Sequence, residues 1–323
     1  MRLFISWILI SLSFIASAAE WNTYPAELPQ FDYSGDKLKS HWDILTMGTR
    51  HEFPDEVFLQ AMSETYPDLK AHMLSLAKKP DAHPGVKALL DHNYTPLAQA
   101  LQKTWRYHYE GKYQQSYELG MQLGTAGMVP AIYSKLMYAT FMVHSSAEKL
   151  AIFRDAAAES EPLLELTPGY DFGDFGLLYA RVRILERLGT TAALATGYLG
   201  STQKKLKQLS ERHPTNSLYP TTFAAIQAGV VERVGSLIGR ITYGATEGRT
   251  LAGFSEALEL QSNLPVIYNE FIVALNRINP KKHKALIQDL SERCIALTPY
   301  SAEEALNQAL CTSEYQQHEL VEN

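Results

Sequence analysis

The chain has few cysteines, no excess of basic residues, and only one long apolar run. Its 323 residues include two cysteines, and 29 Lys and Arg stand against 35 Asp and Glu, which gives a net charge of −6. Two cysteines cannot hold a fold of this size together, so a packed core must do so. The acidic balance argues against a protein that coats nucleic acid or anionic lipid, and we predict no nucleic-acid partner.

The single long apolar run lies at the N-terminus. It follows Arg2, spans residues 3–15, and is followed by Ala16-Ser17-Ala18, which fits the small-x-small pattern of a signal-peptidase site. A membrane-spanning helix needs about 20 apolar residues. The sequence therefore predicts a secretory signal peptide over residues 1–18, with a buried or anchoring N-terminal helix as the alternative. We expect a soluble, exported mature chain, for example in the periplasm, without a membrane span.

The two cysteines lie in the last two predicted helices. In a helical hairpin that turns at residues 298–301, Cys294 would face a residue near Glu304, and Cys311 lies seven positions further on. Seven helical residues span about 10 Å, whereas a disulfide needs Cα atoms within about 7 Å. An oxidising compartment would permit a disulfide, but the spacing slightly favours two buried thiols.

Prolines divide the chain into amphipathic runs. Leu-Thr-Pro ends one run at Pro168 and another at Pro299, and Pro214 and Pro265 follow two more. Proline ends a helix because it lacks the amide donor and disfavours the α conformation of the preceding residue. The spacing between Pro265 and Pro299 is 34 residues, and the other intervals are 46 and 51. A unit near 34 residues is typical of tetratricopeptide helix pairs. Because no strand pattern of useful length competes, we predict an all-α fold.

Periodicity and capping signals predict three segments. Residues 1–18 are the signal peptide, residues 19–94 form a turn-rich leader and an irregular helical cap, and residues 95–323 form a helical repeat array. The predicted helices of the array are 95–111 with 112–123, 129–143 with 147–166, 172–188 with 191–212, 219–243 with 250–261, and 265–278 with 281–297. A capping box from Ser301 to Glu304 begins a final C-terminal capping helix.

Parts of the array resemble tetratricopeptide repeats. In residues 110–116, Gly111 followed by Tyr113 and Ser116 is similar to the turn inside one repeat, and residues 251–260 are similar to a second helix. Ala156, Leu163 and Pro168 are separated in the same way as the small, apolar and proline positions of a tetratricopeptide repeat. The layout of residues 95–313 resembles divergent exported proteins of this superfamily, including those associated with TRAP-type solute transporters and the regulator-of-microtubule-dynamics family. The resemblance implies a right-handed superhelix of antiparallel helical hairpins.

Side chains on the predicted first helices are candidates for binding, because helical solenoids present these helices on their concave face. Tyrosine offers apolar area with a polar tip, and arginines can hold a carboxylate or an acidic peptide. The resemblance implies that paired asparagines on an inner helix clamp a peptide backbone. The candidates are Tyr133, Arg181, Arg240, Tyr243, Asn269 and Asn276. Helix packing or internal ion pairs are the alternative for each.

Motifs of known chemistry are incomplete. Residues 235–239 place serine wrongly for a nucleophile elbow, and residues 244–250 lack one spacer of a phosphate loop and carry Arg249 in place of lysine. Six of the ten histidines lie in the first third of the chain, but no two of these six are three or four residues apart. We therefore predict no catalytic residue, no cofactor and no metal.

The combined hypothesis is an exported, non-enzymatic scaffold. It would bind a protein partner or a small organic ligand in its concave face or in a pore. The TRAP-type resemblance implies an accessory role in solute transport, with a periplasmic solute-binding subunit as the partner. Two alternatives stay open: an envelope-polymer hydrolase with carboxylates in an all-helical cavity, and a structural module that forms homo-oligomers.

Overall fold

The protein is built from α-helices. A computed structural model describes residues 20–47, 49 and 51–320, with side chains up to residue 316; the predicted signal peptide lies outside these residues. The described chain contains 17 α-helices and no strand, so the all-α prediction is confirmed. Within these residues, no helix combines the length and the apolar character needed to cross a bilayer.

The N-terminal part is an extended leader followed by short helices. Asp55 caps the third of them, because its carboxylate accepts hydrogen bonds from the amides of Val57 and Phe58. Pro67 and Pro84 begin the next two at positions where the missing amide costs nothing. The helices are α1 (Lys37–Ser40), α2 (Trp42–Leu45), α3 (Glu56–Thr65), α4 (Pro67–Ala77) and α5 (Pro84–Lys87), followed by a 3₁₀ turn over Ala88–Asp91.

Longer helices follow. They are α6 (Thr95–Tyr109), α7 (Tyr113–Gln122), α8 (Met128–Met137), α9 (Ser146–Leu166), α10 (Asp171–Arg187), α11 (Thr190–Ala195), α12 (Tyr198–Arg212), α13 (Leu218–Ile238), α14 (Glu247–Leu260), α15 (Pro265–Ile278), α16 (Lys284–Ile295) and α17 (Ala302–Leu320). Neighbours in the chain pack against each other. Helix α8 also contacts α6 and α10, and α15 contacts α13 and α17. These six helices therefore form an inner layer.

Two predicted helices are interrupted. The single helix predicted over residues 191–212 is wrong: Gly197 has φ +67°, a left-handed conformation that glycine adopts readily, and it separates α11 from α12. The helix predicted over residues 219–243 kinks at Gly235 and ends in a π-helical turn over Gly239–Tyr243. Both breaks fall at glycines inside runs whose apolar periodicity continues.

The last helix closes the array onto its beginning. Helix α17 contacts α6, and the hydroxyl of Tyr33 in the leader donates a hydrogen bond to the carbonyl of Tyr300. Gly111, after α6, has φ +77°, and a Cβ there would lie 2.9 Å from the Cβ of Ala302 and 2.7 Å from the ring of Tyr24. Only glycine fits this contact between the two ends of the array.

Cys294 and Cys311 form a disulfide, with Cα atoms 6.3 Å apart. The preference for two free thiols is therefore wrong. The spacing argument assumed a tight hairpin, whereas residues 296–301 separate the two helices and carry the chain past the end of α16 before α17 returns. Gln308, one turn before Cys311, donates hydrogen bonds to the carbonyls of Cys294, Ile295 and Leu297.

Removing this disulfide should lower stability. The bond joins residues 17 positions apart, and the restriction that such a loop places on the unfolded chain is worth about 3 kcal/mol. We expect the double variant Cys294→Ala with Cys311→Ala to lose about that much free energy of unfolding in urea. Reductant should shift the wild-type midpoint in the same direction and leave the variant unchanged. Equal wild-type midpoints with and without reductant would contradict the pairing.

Candidate functional site

The inner helices line a central cavity of about 100 Å³ that is partly open to solvent. Helix α6 shows how the sequence positions the wall: Leu97, Leu101, Trp105 and His108 recur every three or four residues on one buried face, and the last two line the cavity. Helices α8, α10, α13, α15 and α17 contribute in the same manner, together with Leu45, Thr46, Met47, Thr49 and His51. Aromatic rings dominate the lining, which includes Trp105, Tyr109, Tyr133, Phe172, Phe175, Tyr179 and Tyr219.

Stacked rings make one wall of this cavity rigid. Trp105 lies parallel to Phe172, with ring centroids 5.3 Å apart, and to Tyr109 at 5.5 Å. The ring of His51 also stacks on Phe172, with centroids 4.0 Å apart, and extends the row of stacked rings. Tyr133 donates its hydroxyl hydrogen to the carbonyl of Phe172 at 3.0 Å. The cavity is therefore lined by side chains whose orientations are already fixed by packing.

His108 presents an unprotonated nitrogen in this wall. The Ser116 hydroxyl donates a hydrogen bond to the carbonyl of Thr104. The Ser134 hydroxyl in turn donates to the hydroxyl oxygen of Ser116. Ser134 is thereby left to accept from Nδ1 of His108, 2.9 Å away. Burial lowers the pKa of His108 to about 3, so the ring is neutral and its Nε2 carries no proton. Nε2 is an acceptor with no hydrogen-bond partner among the described residues.

A network of buried ion pairs lies beside the cavity. Arg183 on α10 bonds to Glu186 at 3.0 Å and also to Glu270 on α15. Arg277 on α15 bonds back to Glu186 at 3.0 Å. Arg187 and Glu232 complete three arginines and three carboxylates. The network balances its own charge and ties the two halves of the array together.

Glu303 is the cavity carboxyl without a partner. It follows the first residue of α17 and lines the cavity. No described residue forms an ion pair or hydrogen bond with its carboxylate. Burial, together with the neighbouring carboxyl of Glu304, raises the pKa of Glu303 to about 8. Burial also raises the pKa of Glu304 to about 7, although its carboxylate accepts a hydrogen bond from the amide of Tyr300 at 2.7 Å.

These carboxyls should make the fold less stable as the pH rises. Their pKa values are higher in the folded chain than the usual value near 4.3 of an unfolded one, so the folded state binds more protons between about pH 4.5 and 8. His51 and His108 have lowered pKa values and act oppositely, but only below about pH 6.5.

We therefore expect the free energy of unfolding to fall between pH 6.5 and 8.5, by up to about 1.4 kcal/mol per pH unit for each carboxyl. Urea titrations at three pH values measure the slope. Glu303→Gln cannot titrate and should flatten it. An unchanged slope in this variant would contradict the assignment.

Of the six candidate binding residues, the structure places Tyr133 in the central cavity. Arg181 on α10 is partly buried, with its guanidinium 4.9 Å from the ring centroid of Tyr198 and 3.5 Å from the carboxylate of Glu161. The amides of Asn269 and Asn276 on α15 both donate to α17, at 2.9 Å to Asn307 and 3.1 Å to Glu314. The two asparagines thus form intramolecular bonds that hold the closing helix.

Arg240 and Tyr243 lie together on the π-helical turn that follows α13. Tyr243 lines a second cavity of about 80 Å³ between α10, α11 and α13. Exposed aliphatic side chains surround Arg240, namely Leu237, Ile238 and Ile241, the last 73% exposed. We call residues 237–243 the apolar tip.

Glu303, His108 and Glu270 lie in or beside the cavity but were not among the candidates. Glu303 is one of the two residues inside a capping box, a pattern that assigns roles to Ser301 and Glu304 and none to the residues between them. His108 carried one local signal, its place on the apolar face of α6. The contact of α17 with α6 brings Glu303 and His108 to the same cavity, and no local sequence pattern indicates that contact.

Comparison with models of protein families, with curated proteins and with solved structures gave no match. The resemblance to tetratricopeptide proteins therefore stays a prediction. Within the described residues, no group of three or more His, Cys, Asp or Glu side chains is arranged to hold a metal ion.

Proposed function

We propose that this chain is an exported, non-enzymatic binding protein that holds a small organic ligand inside its ring of helices. The observation that carries the proposal is the central cavity, which is walled by stacked rings and lined by both the first and the last helix of the array. Ligand sites are typically concave, mainly apolar and provided with a few polar groups. The disulfide supports export, because such bonds persist in oxidising compartments.

A small ligand suits the cavity better than a protein segment. Its volume of about 100 Å³ accommodates a compact molecule, and the asparagines that could clamp a peptide backbone are bonded to α17. We place a protein partner instead at the apolar tip, because exposed aliphatic clusters mark interaction sites. The TRAP-type resemblance suggests a solute-binding subunit as this partner and ligand hand-over as the role.

Native mass spectrometry of the protein purified from its own compartment tests ligand binding. We expect a retained small molecule in the wild type. Thr222, which lines the cavity on α13, changed to Trp should fill the space and abolish the retained mass. Ser236→Trp, at the exposed end of the same helix, is the matched control and should keep it. Identical spectra for the three proteins would contradict a ligand in this cavity.

An envelope-polymer hydrolase is the second candidate, because two carboxyls, Glu270 and Glu303, line one cavity in different environments. Glu270 is paired with Arg183, whereas burial keeps Glu303 protonated at neutral pH, and such a pair can divide the roles of base and acid. The small cavity volume disfavours a polymer substrate. Release of soluble sugars from purified envelope polymer, lost in Glu303→Gln, would support hydrolysis over binding.

A further inference from the structure

The lining of the central cavity offers a ligand hydroxyl and amide groups, among them the buried and unpartnered hydroxyl of Thr49, and two acceptors without a partner. Glu303 offers a carboxylate without a partner, and His108, 3% exposed, offers an unprotonated nitrogen. Arg183 is the cation at the cavity, and Glu186 and Glu270 match its charge on two sides. The cavity therefore has an excess of negative charge once Glu303 ionises.

The remaining wall suits a cation with an apolar body. Aromatic faces attract organic cations through the ring quadrupole, and quaternary ammonium groups are recognised in this manner. Trp105, Tyr133 and Phe172 form such a wall. Trp105 and Phe172 already stack on each other and on Tyr109 and His51, so a cation would lie against the ring surface that these contacts leave uncovered. A carboxylate ligand would instead meet Glu303 without a free cation to neutralise it.

We infer that the central cavity is a site for organic ammonium compounds, with the cation paired to Glu303 and the apolar body against the aromatic wall. The inference rests on the proposed ligand-binding function and specifies its ligand class. An ion pair formed inside this cavity is screened little by solvent, so the carboxylate should dominate discrimination between ligands of equal size.

The ionisation of Glu303 should control binding. The groups that interact with it electrostatically are Glu304 on α17, Arg183 and Tyr179 on α10, Tyr109 on α6, Tyr113 on α7 and Tyr133 on α8. The pKa values of these tyrosines are raised, mainly by burial, so they stay neutral at physiological pH. A cation must therefore displace the proton of Glu303, and binding should strengthen as the pH rises toward 8.5.

Calorimetry with three probes that share a phenyl ring and differ in charge tests the inference: benzyltrimethylammonium, benzyl alcohol and benzoate, all at pH 8.5. We expect the cation to bind at least about tenfold more tightly than the alcohol, and benzoate not to bind. Because the cation does not titrate, its affinity should fall on the order of tenfold between pH 8.5 and pH 6.5, mainly through protonation of Glu303 and to a smaller extent through protonation of its neighbour Glu304.

Two variants assign the effect to one carboxyl. Glu303→Gln should weaken binding of the cation at least about tenfold, remove most of its pH dependence and leave the affinity for benzyl alcohol unchanged. Glu304→Gln, the neighbouring buried carboxyl outside the cavity lining, is the matched control and should keep the preference for the cation. Circular dichroism verifies that each variant is folded.

The outcomes separate this inference from the proposed function. Equal affinities for the cation and the alcohol, or a cation that binds Glu303→Gln as tightly as wild type, would overturn the ammonium site while a ligand-binding cavity stands. Binding of none of the three probes would overturn the ammonium site, and a missing retained mass in native mass spectrometry would then overturn ligand binding as well.

Discussion

Replacing Arg183 by alanine is expected to lower the free energy of unfolding by about 3–5 kcal/mol. The guanidinium is 12% exposed and is bonded to both Glu186 and Glu270. Removal leaves Glu270 buried without a cation, and Glu186 keeps Arg187 and Arg277 as partners. The loss should be visible as a lower midpoint in urea unfolding followed by circular dichroism.

Arg181 provides the matched control on the same helix. Its partner Glu161 is 57% exposed and 3.5 Å away, and surface ion pairs of this kind contribute about 0–1 kcal/mol. Arg181 is itself 22% exposed and its guanidinium also packs over the Tyr198 ring at 4.9 Å, so Arg181→Ala should cost about 1–2 kcal/mol, clearly less than Arg183→Ala. If both variants lost a similar free energy of unfolding, the loss would come from truncating any arginine of helix α10, and the buried ion-pair network would contribute no more to stability than a single ion pair.

Replacing Trp105 by alanine should cost a similar amount, about 3–5 kcal/mol. Trp105 is 4% exposed and packs against rings from three parts of the chain: Trp42 in the cap at 5.6 Å, Tyr109 on its own helix and Phe172 on α10. Truncation leaves a void between the cap and the array that fixed neighbours cannot fill. Thermal unfolding should show one lowered transition rather than separate melting of two parts.

Tyr107, two positions along α6, is the control for this prediction. It is partly exposed, and its ring contacts the ammonium groups of Lys103 and Lys112 at 5.5 and 5.9 Å. Tyr107→Ala should cost about 1 kcal/mol or less. A Trp105 variant as stable as the Tyr107 variant would mean that the cap contributes little to the cavity wall.

Much of the helical layout could be predicted, because it depends on local rules. Prolines at 265 and 299 bound α15 and the turn before α17 as their missing amides require. The capping box places the start of α17 correctly, with Ser301 accepting from the amide of Glu304 at 3.2 Å. The break at Gly197 was missed because the apolar period continues on both sides of it, and periodicity alone cannot register a single left-handed residue.

The site was harder to predict, because it depends on distances between remote parts of the chain. The disulfide depends on the length of the connection after α16, which the hairpin geometry misjudged. Glu303 becomes a cavity residue only when α17 lies against α6. Tyr133 was among the candidates because a tyrosine on an inner helix serves packing and ligand contact alike. The asparagines have the helical spacing of a peptide clamp, but only tertiary contacts reveal that α17 occupies their amides.

The closure of the array constrains the order in which the protein can be made. The bond between Tyr33 and Tyr300 joins residues 267 positions apart, and contacts of such long range form late because the entropy of closing the chain is lost before they stabilise it. A chain that emerges from its N-terminus has its aromatic wall long before it has Glu303. The cavity thus acquires its unpaired carboxyl only after residue 303 has been made, and a shorter chain would present an open apolar surface in place of a binding site.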